Sequence, residues 1–117
     1  MRSCQKRRWG WLVIATLVAL GCSGSHTLKP EELAREVRQL RSLDAESQLL
    51  EEVVAAHHRK SRFAFEHARY LQRSAHAHAQ RLAGARPEPG AEAELERVRG
   101  DATRLEDRLV ALILEMQ

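Results

Sequence analysis

The sequence predicts an all-α protein, and three observations carry that expectation. From Glu31 to Ala83 the chain contains neither Gly nor Pro and is dominated by Ala, Leu, Glu, Gln and Arg, all good helix formers. Residues 84–90 (GARPEPG) then gather two Gly and two Pro, the strongest breakers of regular structure. Beyond them Leu95, Val98, Ala102, Leu105, Leu109, Leu112 and Met116 recur with alternating steps of three and four, the seam of a coiled coil. Aromatic residues make up only 4% of the 117 residues, too few for the aromatic and β-branched strands of a sandwich or barrel.

The expected elements run as follows. Pro30-Glu31-Glu32 opens the first helix, because Pro is tolerated at the first helical position and early acids complement the helix dipole. That helix is expected over about 30–83, roughly 80 Å if unbroken. Its seam reads Leu33, Val37, Leu40, then Leu43, Ser47, Leu50, Val54, His57, Ser61, Ala64, Ala68, Leu71, Ala75, His78 and Leu82. The three-residue step between Leu40 and Leu43 is a stammer. Gly84 is expected to end the helix in the left-handed conformation. A loop over 84–90 leads to a second helix over about 91–116, in which Gly100 costs ~1 kcal/mol relative to Ala.

A short loop makes the two helices antiparallel neighbours, so the expected domain, residues 30–117, is a coiled-coil helical hairpin. Leu82 then comes near Leu95, Leu71 near Ala102, and His57 near Met116, with large side chains facing small ones along much of the seam. Charge agrees: residues 57–86 hold seven basic and one acidic residue, residues 87–117 four basic and eight acidic.

The second helix reaches back only to about His57. Leu33, Val37, Leu40, Leu43, Leu50 and Val54 would overhang with their apolar face uncovered, each forfeiting roughly 1.5–3 kcal/mol. Those six are therefore candidate partner-binding residues in a long, continuous first helix. The alternative is a three-helix bundle with a break near 42–47. Phe63 and Tyr70, seven residues apart, form a second stripe with Val53 and Ala56 and are further candidates for a docking face.

The first 21 residues read as an export signal. Lys6-Arg7-Arg8 supplies the positive flank, and residues 9–20 (WGWLVIATLVAL) are apolar but too few to span a ~30 Å hydrocarbon core comfortably. Val18-Ala19-Leu20-Gly21 precedes Cys22. These residues resemble the lipobox of bacterial lipoproteins, with Ala19 where Leu is most typical. The resemblance covers residues 1–22 alone. It implies cleavage between Gly21 and Cys22, a diacylglyceryl thioether on Cys22, and, with Ser23 in second place, an outer-membrane location facing the periplasm in a diderm cell. Residues 22–29 are then the lipidated Cys and a flexible tether.

That leader accounts for the basic composition. Arg2, Lys6, Arg7 and Arg8 leave with it, so 15 basic residues remain against 16 acidic. No net basic domain is left, and nucleic acid is not an expected partner. Cys4 leaves too, so Cys22 has no partner for an intramolecular disulfide.

Chemistry is sparse in the remainder. His26, His57, His58, His67, His76 and His78 contain no pair spaced i, i+4, the spacing that puts two metal ligands on one helix face. No phosphate-cradling Gly loop and no nucleophile–base constellation is visible. The expectation is a non-enzymatic envelope lipoprotein without a cofactor, held to the membrane through Cys22 and acting by association with itself or another envelope protein. The alternative is a periplasmic ligand- or metal-binding lipoprotein using the His- and Arg-rich stretch 57–86.

Overall fold

A computed structural model describes residues 26–57 and 61–117. The expected leader, its cleavage site Gly21–Cys22 and the lipidation site lie outside the described residues. The elements in chain order are β1 (Thr27–Leu28), α1 (Pro30–His57), α2 (Arg62–Ala83), β2 (Arg86–Pro87) and α3 (Glu92–Glu115). The described residues are all-helical apart from one short parallel bridge, which pairs Thr27 with Arg86 and Leu28 with Pro87.

Local chemistry explains each helix start. Lys29 caps α1: its carbonyl accepts from Leu33 N at 3.0 Å, and its own N–H donates to Glu32 Oε2 at 3.0 Å. Glu32 thus closes half of a capping box. Ser61 caps α2 in an extended conformation (φ −76, ψ 144), with Oγ accepting from Ala64 N at 3.0 Å. At α3, Glu92 reaches back to accept from Gly90 N at 2.9 Å.

Three expectations need correction. The helix expected over 30–83 is present as two, α1 and α2, with Ser61 outside helical geometry between them. The reason lies in the capping hydroxyl, which offers the backbone a satisfied alternative to helical continuation. Nor is there a break near 42–47, where α1 is helical throughout. Gly84 is not left-handed: its φ is −84, and Gly90 holds the positive φ of 90. Arg99 of α3 supplies what a left-handed cap would have supplied. Its Nε donates to Leu82 O at 2.8 Å, beside the Ala85 N–H at 3.3 Å, and its Nη2 donates to Ala85 O at 2.6 Å, which completes the capping of the carbonyls at the end of α2.

The seam read from the sequence is the core. Ala64, Ala68, Leu71, Ala75, His78 and Leu82 of α2 are buried with Leu95, Val98, Ala102, Leu105, Leu109, Leu112 and Met116. From α1 the same cluster takes Leu33, Leu40 and Leu50, with Val37, Leu43 and Val54 packed half-buried against it. Ser47, at the same seam, is fully buried and donates its hydroxyl to Asp44 O at 2.9 Å. Part of the expected flexible tether is also engaged, since Leu28 packs against the core.

Candidate interaction surface

The six α1 candidates are not a free face. Leu33, Leu40 and Leu50 are buried, and Val37, Leu43 and Val54 are half-buried against the protein's own core. The large apolar side chains that α1 and α2 leave in water are Phe63 (79% exposed), Leu49 (63%), Tyr70 (55%) and Val53 (51%), and α3 exposes Leu114 (63%) and Val110 (41%). Of the sequence candidates, Phe63 and Tyr70 are therefore the two that stay accessible.

These residues are ordered with respect to one another. Steps of four and three put Phe63, His67 and Tyr70 on one face of α2. The His67 ring stacks on Phe63 at 6.0 Å between centroids and 3° between planes, and on Tyr70 at 6.2 Å and 17°. A three-ring ladder results. Leu49 and Val53 share one face of α1 with Glu46, by the same periodicity. Glu46 Oε2 lies 3.8 Å from His67 Nε2, which sets the aliphatic stripe of α1 beside the aromatic ladder of α2. Leu49 and the part played by His67 were missed in the sequence, although the 63/67/70 spacing carries the signal.

Three further described histidines, His26, His76 and His78, meet carboxylates. His78 Nδ1 is 2.5 Å from Glu36 Oε2, and Arg81 Nε donates to Glu36 Oε1 at 3.3 Å, which joins α2 to α1. His76 Nδ1 is 2.7 Å from Glu106 Oε1, which joins α2 to α3. His26 Nε2 is 2.9 Å from Glu32 Oε2. Each contact uses one carboxylate for one imidazole, and among the described residues no group of three or more His, Cys, Asp and Glu side chains is placed to hold a metal ion.

Among the described residues, two ionisable groups are displaced from their ordinary range. Glu32 is held low, first by the Lys29 N–H and then by its hydrogen bond to His26. At Arg108 burial works downward, but hydrogen bonds to Glu51 and Asp44 prevail and raise it. Arg108 Nη1 sits 2.7 Å from Asp44 and Nη2 3.0 Å from Glu51, which ties α3 to α1.

A groove of about 380 Å³ lies between α1 and α3, floored by Val37, Leu40, Val98 and Leu105. Its rim charges largely pair with one another: Asp44 with Arg108, and Asp101 with Arg97 and Arg104. Among the described residues, no helix is long and apolar enough to cross a membrane. No protein-family model, curated protein or solved structure matches the chain.

Proposed function

We propose that this protein is a lipid-anchored lipoprotein of the bacterial envelope, attached through Cys22, whose helical domain acts by protein association and not by catalysis. The domain is a three-helix bundle in which α1 folds back along the α2–α3 hairpin. Contacts from α1 to both other helices support that arrangement: Glu36 with His78, Glu46 with His67, and Asp44 with Arg108. Anchoring rests on the leader pattern and on Cys22.

The single observation that carries the association role is the ladder of Phe63, His67 and Tyr70 beside Leu49 and Val53. Scattered exposed apolar residues need no explanation, but a contiguous ordered set marks an interaction site. Leu49 and Val53 stand about 30 Å along α1 from Pro30, at 1.5 Å per residue. The surface is thus carried well away from the tethered end of the domain, where a protein partner can reach it.

Cross-linking in intact cells tests both halves. Cys22→Ser should release the protein from the membrane fraction. Phe63→Asp with Tyr70→Asp should abolish its cross-linked species while the domain stays folded. Membrane retention of the Cys22→Ser chain sinks the anchor; an unchanged cross-link pattern in the double variant sinks the association surface.

A further inference from the structure

The exposed faces of α1 and α2 differ in a way that makes them fit each other in a second copy. Residues 42–56 of α1 contain Asp44, Glu46, Glu51 and Glu52 and no basic residue. Residues 62–82 of α2 contain four Arg and one acid, Glu66. Asp44 and Glu51 are already engaged by Arg108. Among the described residues, Glu52 on α1 and Arg62 and Arg73 on α2 have no ion-pair partner, and all three are exposed.

At 100° per residue these charges flank the apolar set. Crossing the surface from the outer side of α2, one meets Arg62 and Arg73, then Phe63 and Tyr70, then the furrow where His67 meets Glu46. Beyond the furrow come Leu49 and Val53, then Glu52. The order is basic, aromatic, aliphatic, acidic. A two-fold axis running along the furrow, in the plane of the interface, reverses this order in the facing copy. Arg62 then opposes Glu52 and the Phe63 ring opposes Leu49, whereas Arg73, level with about residue 40, faces Arg41 and adds no attraction. Heights agree as well. Because α1 and α2 run antiparallel with Glu46 level with His67, Arg62 lies level with residues 51–52, and Phe63 lies level with residues 49–50. Each copy offers the same patch to the other, which is the requirement for a closed isologous pair.

We propose that the protein forms a two-fold homodimer through this surface, the Phe63 end of each α2 ladder seated on the Leu49–Val53 stripe of the other copy, with Arg62 paired to Glu52 across the interface. The proposal rests on the association role stated above and names the partner as a second copy. Steering by opposite charge favours α2 on α1 and opposes α2 on α2 or α1 on α1. The one acid on α2, Glu66, lies towards Arg62 and Arg73 and weakens the basic edge without reversing it. So small a patch falls at the low end of interface sizes, and the dimer is weak, with micromolar dissociation.

Sedimentation of the full chain in detergent, density-matched and followed up to about 200 µM, reads the equilibrium. Phe63 is solvent-exposed, so Phe63→Ala leaves the fold intact and should weaken dimerisation by about tenfold or more. Glu52→Arg alone and Arg62→Glu alone should each weaken it by roughly three- to tenfold. An equimolar mixture of these two variants should recover mixed dimers, since both symmetric contacts then pair opposite charges again, with one of them reversed. A wild-type chain that stays monomeric across the range overturns the proposal but leaves association with a different protein standing. A dimer indifferent to Phe63→Ala, or charge variants that fail to recover on mixing, overturns it by placing the contact elsewhere.

Discussion

Removing Leu40 distinguishes a bundle from an overhanging helix by its cost. Leu40 is buried at 6% exposure and lies in the floor of the groove shared by α1 and α3. A buried Leu→Ala change loses the transfer free energy of the side chain and leaves a cavity, together 2–5 kcal/mol. Leu40 falls at the lower end, about 2 kcal/mol, because the groove is open and the void is continuous with solvent. Leu71 is fully buried in the core, where the neighbours cannot relax into the space, and Leu71→Ala should cost about 3–4 kcal/mol. Both are large fractions of the roughly 5–13 kcal/mol expected for a domain of this size. Urea unfolding followed by far-ultraviolet circular dichroism measures the two shifts in midpoint at constant slope. If α1 instead overhung into water, Leu40→Ala would move stability by less than about 0.5 kcal/mol while Leu71→Ala kept its full effect. That pairing of results would refute the packing of α1 described here.

Arg99→Ala should destabilise by about 1–3 kcal/mol in thermal unfolding, because Ala85 O loses the guanidinium donor and Leu82 O keeps only the Ala85 N–H at 3.3 Å; a change below about 0.3 kcal/mol would show that water replaces the guanidinium freely. Gly100→Ala should stabilise by about 0.5–1 kcal/mol through helix propensity, since the added Cβ meets only the flexible guanidinium of Arg104 at 3.3 Å; a loss of stability would mean that this side chain cannot shift. Glu32 is held below its ordinary value in the folded chain, so its contribution is present above the ordinary carboxylate range and disappears as pH falls through the lowered value. Amide exchange at Lys29, the donor to Glu32, should therefore accelerate on acidification after correction for intrinsic rates, and Glu32→Gln should abolish that dependence; a variant that keeps it would assign the effect to another group.

The helical class, the loop at 84–90 and nearly every buried position were legible from the three-and-four spacing alone. The turn at Ser61 was not, and its concealment has a physical cause. Val54, His57, Ser61 and Ala64 continue the heptad through the turn, so periodicity reports no interruption, and a lone serine without a glutamate three residues on is a weak start signal. The uncovered apolar face of a long helix was the better clue, because burying Leu33, Leu40 and Leu50 is worth several kcal/mol against the loss of a few helical hydrogen bonds. The stammer between Leu40 and Leu43 does not interrupt the core face: both side chains reach the core from an unbroken helix. The cap supplied by Arg99 to the end of α2 and the bridge between residues 27–28 and 86–87 are tertiary, and no local pattern records them. At the surface, the 63/70 stripe was readable, but the stacked His67 between its members and the neighbouring Leu49 emerge only once α1 lies beside α2.

The most direct test of this arrangement is a distance between labels on Gln39 of α1 and Gln80 of α2, both exposed. Their neighbours Glu36 and Arg81 form an ion pair, and packed helices run 8–10 Å apart, so pulsed electron resonance should give a distance within about 20 Å. A continuous helix from Pro30 to Ala83 would separate the same two positions by roughly 60 Å. The short distance is the expected result, and the long one would contradict the folded-back α1 on which the interaction surface depends.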